Sequence, residues 1–84
     1  MYRVLLESRA EKDLESLDKI VQKRAVERLL LLQTNPRPAG SKRLVGSHNA
    51  WRVRIGDWRI IYEINDRTET VKVYRIKHRS KAYG

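Results

Sequence analysis

The sequence predicts an α+β domain in which an N-terminal strand and a helical hairpin precede a three- to four-stranded antiparallel sheet, with the helices on one face. Apolar residues recur at helical spacing through residues 10–32. From Lys42 onward they alternate with polar residues, which is the period of strands, and VKVYRI (71–76) is expected to be the last strand. A chain of 84 residues and 10.0 kDa is long enough for one small core, so we expect a single domain over residues 1–84.

The N-terminal half carries signals for one strand and two helices. YRVLLE (2–7) is a short run typical of a strand. Ser8 stands three residues before Glu11, which is the capping-box spacing and predicts the start of the first helix. Asp18 can cap a second helix, so a hairpin is favoured, with one long helix as the alternative. The run Asn35-Pro36-Arg37-Pro38 is expected to end the helices, because proline lacks an amide hydrogen and disfavours helix at the residue before it.

The buried face of these helices is predicted from apolar residues that are three or four positions apart. Such residues share one side of a helix. The set comprises Ala10, Leu14, Leu17, Val21, Ala25, Leu29 and Leu32. Val26 and Leu30 are expected to widen this apolar stripe.

The stretch WRVRIGDWRIIY (51–62) predicts a β-hairpin that closes at Gly56-Asp57, with glycine at the first turn position. The pairing then places Arg54 opposite Arg59, and Arg52 lies on the same face. The other face is predicted to be the core under the helices, formed by Trp51, Val53, Ile55, Trp58, Ile60 and Tyr62.

The open face of this hairpin is unusual because it concentrates positive charge. Like charges directly opposite in a sheet destabilise it by about 0.2–1 kcal/mol, so the cluster is expected to face an anion. Guanidinium groups match phosphate oxygens in a bidentate manner. An acidic protein segment and plain solvation of the sheet are the alternatives.

The charge of the whole chain supports a polyanionic partner, and nucleic acid is favoured over an acidic protein or a surface that only confers solubility. The net charge is +9 and the pI is about 10.4. Residues 1–40 carry 8 basic and 6 acidic side chains, whereas residues 41–84 carry 11 and 4. The C-terminal half therefore has the composition of a nucleic-acid-binding surface.

Several function classes are disfavoured by what the sequence lacks. There is no cysteine, so disulfides and thiolate metal sites are excluded. The sequence contains no phosphate-binding glycine loop and no Ser/His/Asp set, and its two histidines, His48 and His78, are thirty residues apart. We therefore expect neither a metal nor a cofactor, and we interpret His48 as a loop residue. No secretory signal or run of ~18 apolar residues is found, which predicts a cytoplasmic protein.

The C-terminal tail, IKHRSKAYG (76–84), contains the candidate proton carriers. Its functional groups are Lys77, His78, Arg79, Lys81 and Tyr83. Histidine titrates near neutral pH, and lysine or tyrosine serves when cationic neighbours lower its pKa. Arginine does not act as a base.

The sequence resembles the RelE/ParE superfamily of type II toxin–antitoxin toxins, and the RelE branch more closely. The matching segments span nearly the whole chain: LDKIVQKRA, KRLVG (42–46), WRVRIGDWRIIYEI (51–64) and VYRIKHRSKAYG (73–84). The G-D-W-R-I-I-Y stretch and the H-R-x-x-x-Y ending are the most specific. The resemblance implies a metal-independent endoribonuclease that cleaves mRNA, in many members at the ribosomal decoding site, and that a cognate antitoxin silences.

The resemblance also implies roles for individual residues. Arg59, Lys77, His78, Arg79 and Tyr83 would form the catalytic set, and Lys42, Arg43, Arg52, Arg54 and Lys81 would bind RNA. Many RelE members have lysine at one or both of the positions that match Arg52 and Arg54. Here the proton carrier is therefore left open among His78, Tyr83, a lysine and the ribosome. The alternative function is that of the ParE-like members, which inhibit DNA gyrase without catalysis.

Overall fold

The structure is a computed structural model that describes residues 1–47 and 49–80. His48, Lys81 and Tyr83, which the sequence analysis singled out, lie outside the described residues. The elements are β1 (Arg3–Leu6), α1 (Ser8–Ser16), α2 (Lys19–Thr34), β2 (Lys42–Arg43), β3 (Ala50–Ile55), β4 (Trp58–Asn65) and β5 (Thr70–His78). No helix in this part of the chain is long and apolar enough to span a membrane.

The five strands form one sheet in the order β1-β5-β4-β3-β2. The pairs β2–β3, β3–β4 and β4–β5 are antiparallel, whereas β1 pairs with β5 in parallel. The predicted α+β class is thus confirmed. The described sheet has one strand more than expected. It is mixed because β1, the strand before the helical hairpin, adds to the free edge of β5 in a parallel orientation.

The helix boundaries follow the sequence signals with one exception. The main-chain amide of Val21 donates to Asp18 Oδ1 at 3.0 Å, so Asp18 caps α2 and the predicted hairpin is confirmed. The capping box at Ser8 is wrong. The N-cap of α1 is Glu7, whose carbonyl accepts from the amide of Glu11 at 3.0 Å, and Ser8 is already helical.

The core lies between the helices and one face of the sheet. Its buried apolar side chains are Ala10, Leu17, Ala25, Leu29, Leu32, Val53, Ile55, Ile60, Tyr62, Ile64, Val71, Val73 and Ile76. The predicted widening of the α2 stripe is wrong, because Val26 and Leu30 are 41% and 57% exposed. Each follows a buried residue by one position, which is about 100° further around the helix.

A β-bulge in β5 changes which of its side chains face the helices. Ile61 pairs with Arg75, but the next residue of β4, Tyr62, pairs with Val73, so Tyr74 is an extra residue. The extra residue inverts the alternation of side chains beyond it. As a result, both Val73 and Ile76 are buried in the core although they are three positions apart.

The bulge is held by a side chain from α1. Asp13 Oδ2 accepts from Arg75 Nε at 2.8 Å and from the main-chain amide of Ile76 at 2.9 Å. Pairing between β1 and β5 ends at Val73, so Asp13 satisfies an amide of β5 beyond the reach of β1. Burial raises the pKa of Asp13, but the bonds from Arg75 and Ile76 outweigh it and hold the pKa below its ordinary value.

Candidate nucleic-acid interface

The sheet face opposite the helices carries two rows of cationic side chains. Arg54 lies directly opposite Arg59, and Arg59 lies opposite Lys77, so one row crosses β3, β4 and β5. Beside it, Lys42 of β2 lies opposite Arg52 of β3. The predicted positions of Arg52, Arg54 and Arg59 on one face are confirmed. We refer to these five residues as the cationic face.

Arg59 differs from the other members of the cationic face because it is buried. Its side chain lies on the expected face, but the residue is only 8% exposed, whereas Arg54 is exposed. Burying a charge without compensation is very costly. The surroundings of Arg59 must therefore compensate its charge, and they also hold the guanidinium in place. Arg59 is therefore a fixed charge at the centre of the row, flanked by the more accessible Arg54 and Lys77.

The short strand β2 directs Lys42 and Arg43, both predicted to bind RNA, to opposite faces of the sheet. Lys42 pairs with Arg52 on the cationic face, but Arg43 pairs with Trp51, whose ring packs against the core on the helix side. Alternation along a strand makes this separation unavoidable. Arg43 is exposed, yet it does not extend the cationic face.

The tail candidates are also divided between the two faces. The strand was expected to end at residue 76 but continues to His78, so Lys77 and His78 are both strand residues. Lys77 joins the cationic face. His78 pairs with Trp58 on the helix side, where the two rings meet edge to face with centroids 5.3 Å apart. Arg79 is exposed, and its main-chain amide donates to the carbonyl oxygen of Asp57 at 2.7 Å.

The cationic face ends where acidic side chains appear toward β1. Glu63 lies opposite Lys72 and accepts a hydrogen bond from the Tyr74 hydroxyl at 3.2 Å. Lys72 Nζ lies 3.9 Å from a carboxylate oxygen of Glu7. Burial and the neighbouring Glu63 carboxylate raise the pKa of Tyr74. The part of the sheet near β1 therefore has mixed charge. Anion binding is favoured on the other part, formed by β2, β3 and the last residues of β5.

Sequence reasoning missed Asp13, whose contacts with β5 fix the bulge and thereby the face on which Lys77 lies. The available signal was its position three residues after Ala10, which places a carboxylate on the buried side of α1. A carboxylate at such a position requires a partner. The sequence did not identify Arg75 as that partner, because the two residues are 62 positions apart.

Comparison with known proteins identifies relatives of this chain by sequence and by fold. A family model described as the ParE toxin of the type II toxin–antitoxin system parDE matches residues 4–83. The RelE1 protein of Methanocaldococcus jannaschii is 34% identical over an aligned stretch of 85 positions, which covers 98% of this chain and 94% of that protein.

Solved structures give the same result. The archaeal RelE–RelB complex from Pyrococcus horikoshii has a chain that matches with a TM-score of 0.84 and 31% identity, over 96% of this chain and 98% of that one. The toxin–antitoxin complex RelBE2 from Mycobacterium tuberculosis matches with a TM-score of 0.81 and 29% identity, over 93% and 98%.

The fold and the cationic face define a small α+β protein with one helix-covered and one open, positively charged sheet surface. This chain belongs to the RelE/ParE superfamily of toxins of type II toxin–antitoxin systems.

Proposed function

We propose that this protein is an endoribonuclease that cleaves mRNA and acts as the toxin of its toxin–antitoxin pair. The observation that carries the proposal is the row Arg54–Arg59–Lys77 across three strands of the open face. Three adjacent cations on one sheet repel one another, and a bound anion relieves that repulsion. An RNA phosphate supplies that anion, and guanidinium groups bind its oxygens in pairs.

The proposed reaction is an intramolecular transesterification. The 2′-hydroxyl of a ribose loses its proton and attacks the adjacent phosphorus, so that a 2′,3′-cyclic phosphate forms. The bond from phosphorus to the 5′-oxygen breaks, and that oxygen takes up a proton. The protein accelerates such a step by aligning the hydroxyl with the phosphate and by stabilising charge on the phosphate oxygens.

The cationic face is suited to charge stabilisation, but its arginines do not remove the proton. Lys77 is the member of the row whose side chain can exchange a proton, since an ammonium group can lose one and a guanidinium does not. Tyr83 and the ribosome are the other candidates that we propose. We propose that cleavage occurs on translating ribosomes, where the net charge of +9 favours docking on ribosomal RNA. With this proposed target the protein would act in the cytoplasm.

We further propose a cognate antitoxin that binds through an acidic and apolar segment. The chains matched from Pyrococcus horikoshii and Mycobacterium tuberculosis belong to toxin–antitoxin complexes. In this protein the cationic face offers charge for acidic residues. The outer side of α2 offers apolar surface, because Ile20 and Leu30 are 72% and 57% exposed. An antitoxin that covers the cationic face would block access to RNA.

A second candidate function is inhibition of DNA gyrase without catalysis. It is favoured by one observation, that the matching family model describes ParE toxins. The two functions separate in one experiment. The protein is induced without antitoxin, a translated transcript is mapped by primer extension, and purified protein is assayed for gyrase supercoiling. New 5′ ends with normal supercoiling support the nuclease, whereas intact transcripts with inhibited supercoiling overturn it.

A further inference from the structure

His78 lies where it does not share a surface with the cationic face. Its partner across the strands is Trp58, and the planes of the two rings are at 88° to each other. Both residues line a pocket of about 220 Å³, together with Asp13 and Ser16 of α1 and with Arg75, Ile76 and Lys77 of β5. Lys77, the preceding residue, points to the opposite face with Arg59. By strand alternation the side chains of Lys77 and His78 leave β5 on opposite faces, although both residues line this pocket.

One nitrogen of the imidazole is already engaged by the chain that follows it. The main-chain amide of Ser80 donates to His78 Nδ1 at 3.3 Å, and Ser80 Oγ lies 3.0 Å from the same nitrogen. A ring nitrogen accepts a hydrogen bond only when it carries no proton. The neutral ring therefore holds its proton on Nε2, and its basic nitrogen is occupied by Ser80.

This arrangement is a turn closed by a side chain. Asparagine and aspartate commonly accept from the amide two residues later and so close an Asx-turn. His78 does the same with Ser80, while the intervening Arg79 amide is bound to the Asp57 carbonyl at 2.7 Å. The imidazole and the β3–β4 turn together fix the chain at the point where β5 ends.

We propose that His78 is a positioning residue and not the proton carrier of the reaction. Its Nδ1 closes the turn over residues 78–80, and its ring rests on Trp58. These contacts fix the end of β5 and with it the location of Lys77 and Arg79 relative to Arg59. This inference builds on the proposed RNA cleavage, because it assigns a role within that site.

Two isosteric substitutions distinguish the roles of the two ring nitrogens. In His78→Asn the amide group occupies the place of Nδ1 and can accept from Ser80, whereas in His78→Gln it occupies the place of Nε2. We expect His78→Ala and His78→Gln to lower kcat for cleavage on programmed ribosomes about 5- to 10-fold, which is the effect of losing one hydrogen bond. His78→Asn is expected to restore most of this loss, with KM nearly unchanged in all three.

Substitutions at Ser80 give the matched control. Ser80→Pro removes the amide donor, whereas Ser80→Ala keeps the amide and removes only the hydroxyl. We expect Ser80→Pro to behave like His78→Ala and Ser80→Ala to lose less activity, because Ser80→Ala keeps the amide donor and removes only the hydroxyl contact. If His78→Gln is active while His78→Asn is as impaired as His78→Ala, the imidazole acts through Nε2 and the proposal is wrong. Equal activity of all the variants also overturns it.

The tautomer is measurable without any RNA. Two-bond ¹H–¹⁵N correlation spectra of ¹⁵N-histidine-labelled protein, recorded in mildly alkaline buffer, should show the His78 proton on Nε2. In Ser80→Pro the Nδ1 resonance should move toward the value of an unbonded nitrogen. A proton found on Nδ1 contradicts the proposal. Since this spectrum needs no cleavage, it decides the role of the turn even if the protein proves to cut no RNA.

Discussion

Arg54 and Arg59 lie directly opposite each other across the β3–β4 hairpin, although both carry a permanent positive charge. Arg54 is exposed and Arg59 is 8% exposed, so one member of the pair can be removed without disturbing packing. This asymmetry makes Arg54 the better position at which to test the cationic face.

Arg54→Ala is expected to lower the rate of mRNA cleavage about 10²-fold, which is the lower end of the effect of losing a charge-stabilising donor. The free energy of unfolding should change by less than about 0.5 kcal/mol, because the side chain is exposed. Arg67→Ala is the matched control, since it removes one exposed guanidinium from the turn between β4 and β5. Equal loss of activity in both variants would show that net charge, and not the row, is responsible.

Asp13→Asn should lower the free energy of unfolding by about 1–3 kcal/mol, because the charged partner of Arg75 and the acceptor for the Ile76 amide are weakened. The pKa of Asp13 is depressed in the folded state. Its contribution is therefore fully present above about pH 4, the ordinary value for aspartate, and is lost as the pH falls through the lower folded value.

Urea unfolding at neutral pH and at about pH 3 measures this dependence. The difference between wild type and Asp13→Asn should shrink at the lower pH. Glu15→Gln, at an exposed position of α1, should show little difference at either pH. If the difference in free energy of unfolding between wild type and Asp13→Asn is independent of pH, then the shape of the side chain, and not its charge, accounts for the role of Asp13.

Tyr62→Phe should lower the free energy of unfolding by about 1–3 kcal/mol. The buried hydroxyl donates to the Pro36 carbonyl at 2.7 Å, and that acceptor would lose its partner. Burial raises the pKa of Tyr62 to about 12. The folded state thus holds the proton more tightly than the unfolded chain, and this contribution is present below about pH 10 and lost as the pH rises further. When denaturant unfolding is measured from neutral pH to about pH 11, the free energy of unfolding should decline less for Tyr62→Phe than for wild type.

The proposed antitoxin should associate at a rate that falls as salt is added, because a protein with net charge +9 attracts an acidic partner over several ångströms. Between low salt and about 0.5 M salt the rate constant should fall at least about tenfold. Arg54→Glu and Arg67→Glu lower the net charge equally, so a larger effect of Arg54→Glu on the rate would place the contact on the cationic face. A rate that is insensitive to salt contradicts electrostatic docking.

Local patterns were sufficient for much of this fold. The period of two in WRVRIGDWRIIY determined the faces of Arg52, Arg54 and Arg59, since a two-residue turn fixes the register of a hairpin. Asp18 and the Asn35-Pro36 step likewise marked helix boundaries through interactions with residues close in sequence. Arg59 was placed on the correct face, but its burial was not foreseen, because burial depends on everything packed around a side chain.

By itself, then, the sequence determined the order of the elements, the α+β class and the charge of the open hairpin face. Only the tertiary structure decided which residue of the last strand joins that face. Strict alternation along β5 would place His78 with Lys72 and would turn Lys77 toward the helices. The extra residue at Tyr74 inverts this order, and Asp13, 63 positions from the Ile76 amide that it binds, helps to hold the bulge. Such a contact has no local signature, because it forms only when α1 packs against the edge of β5.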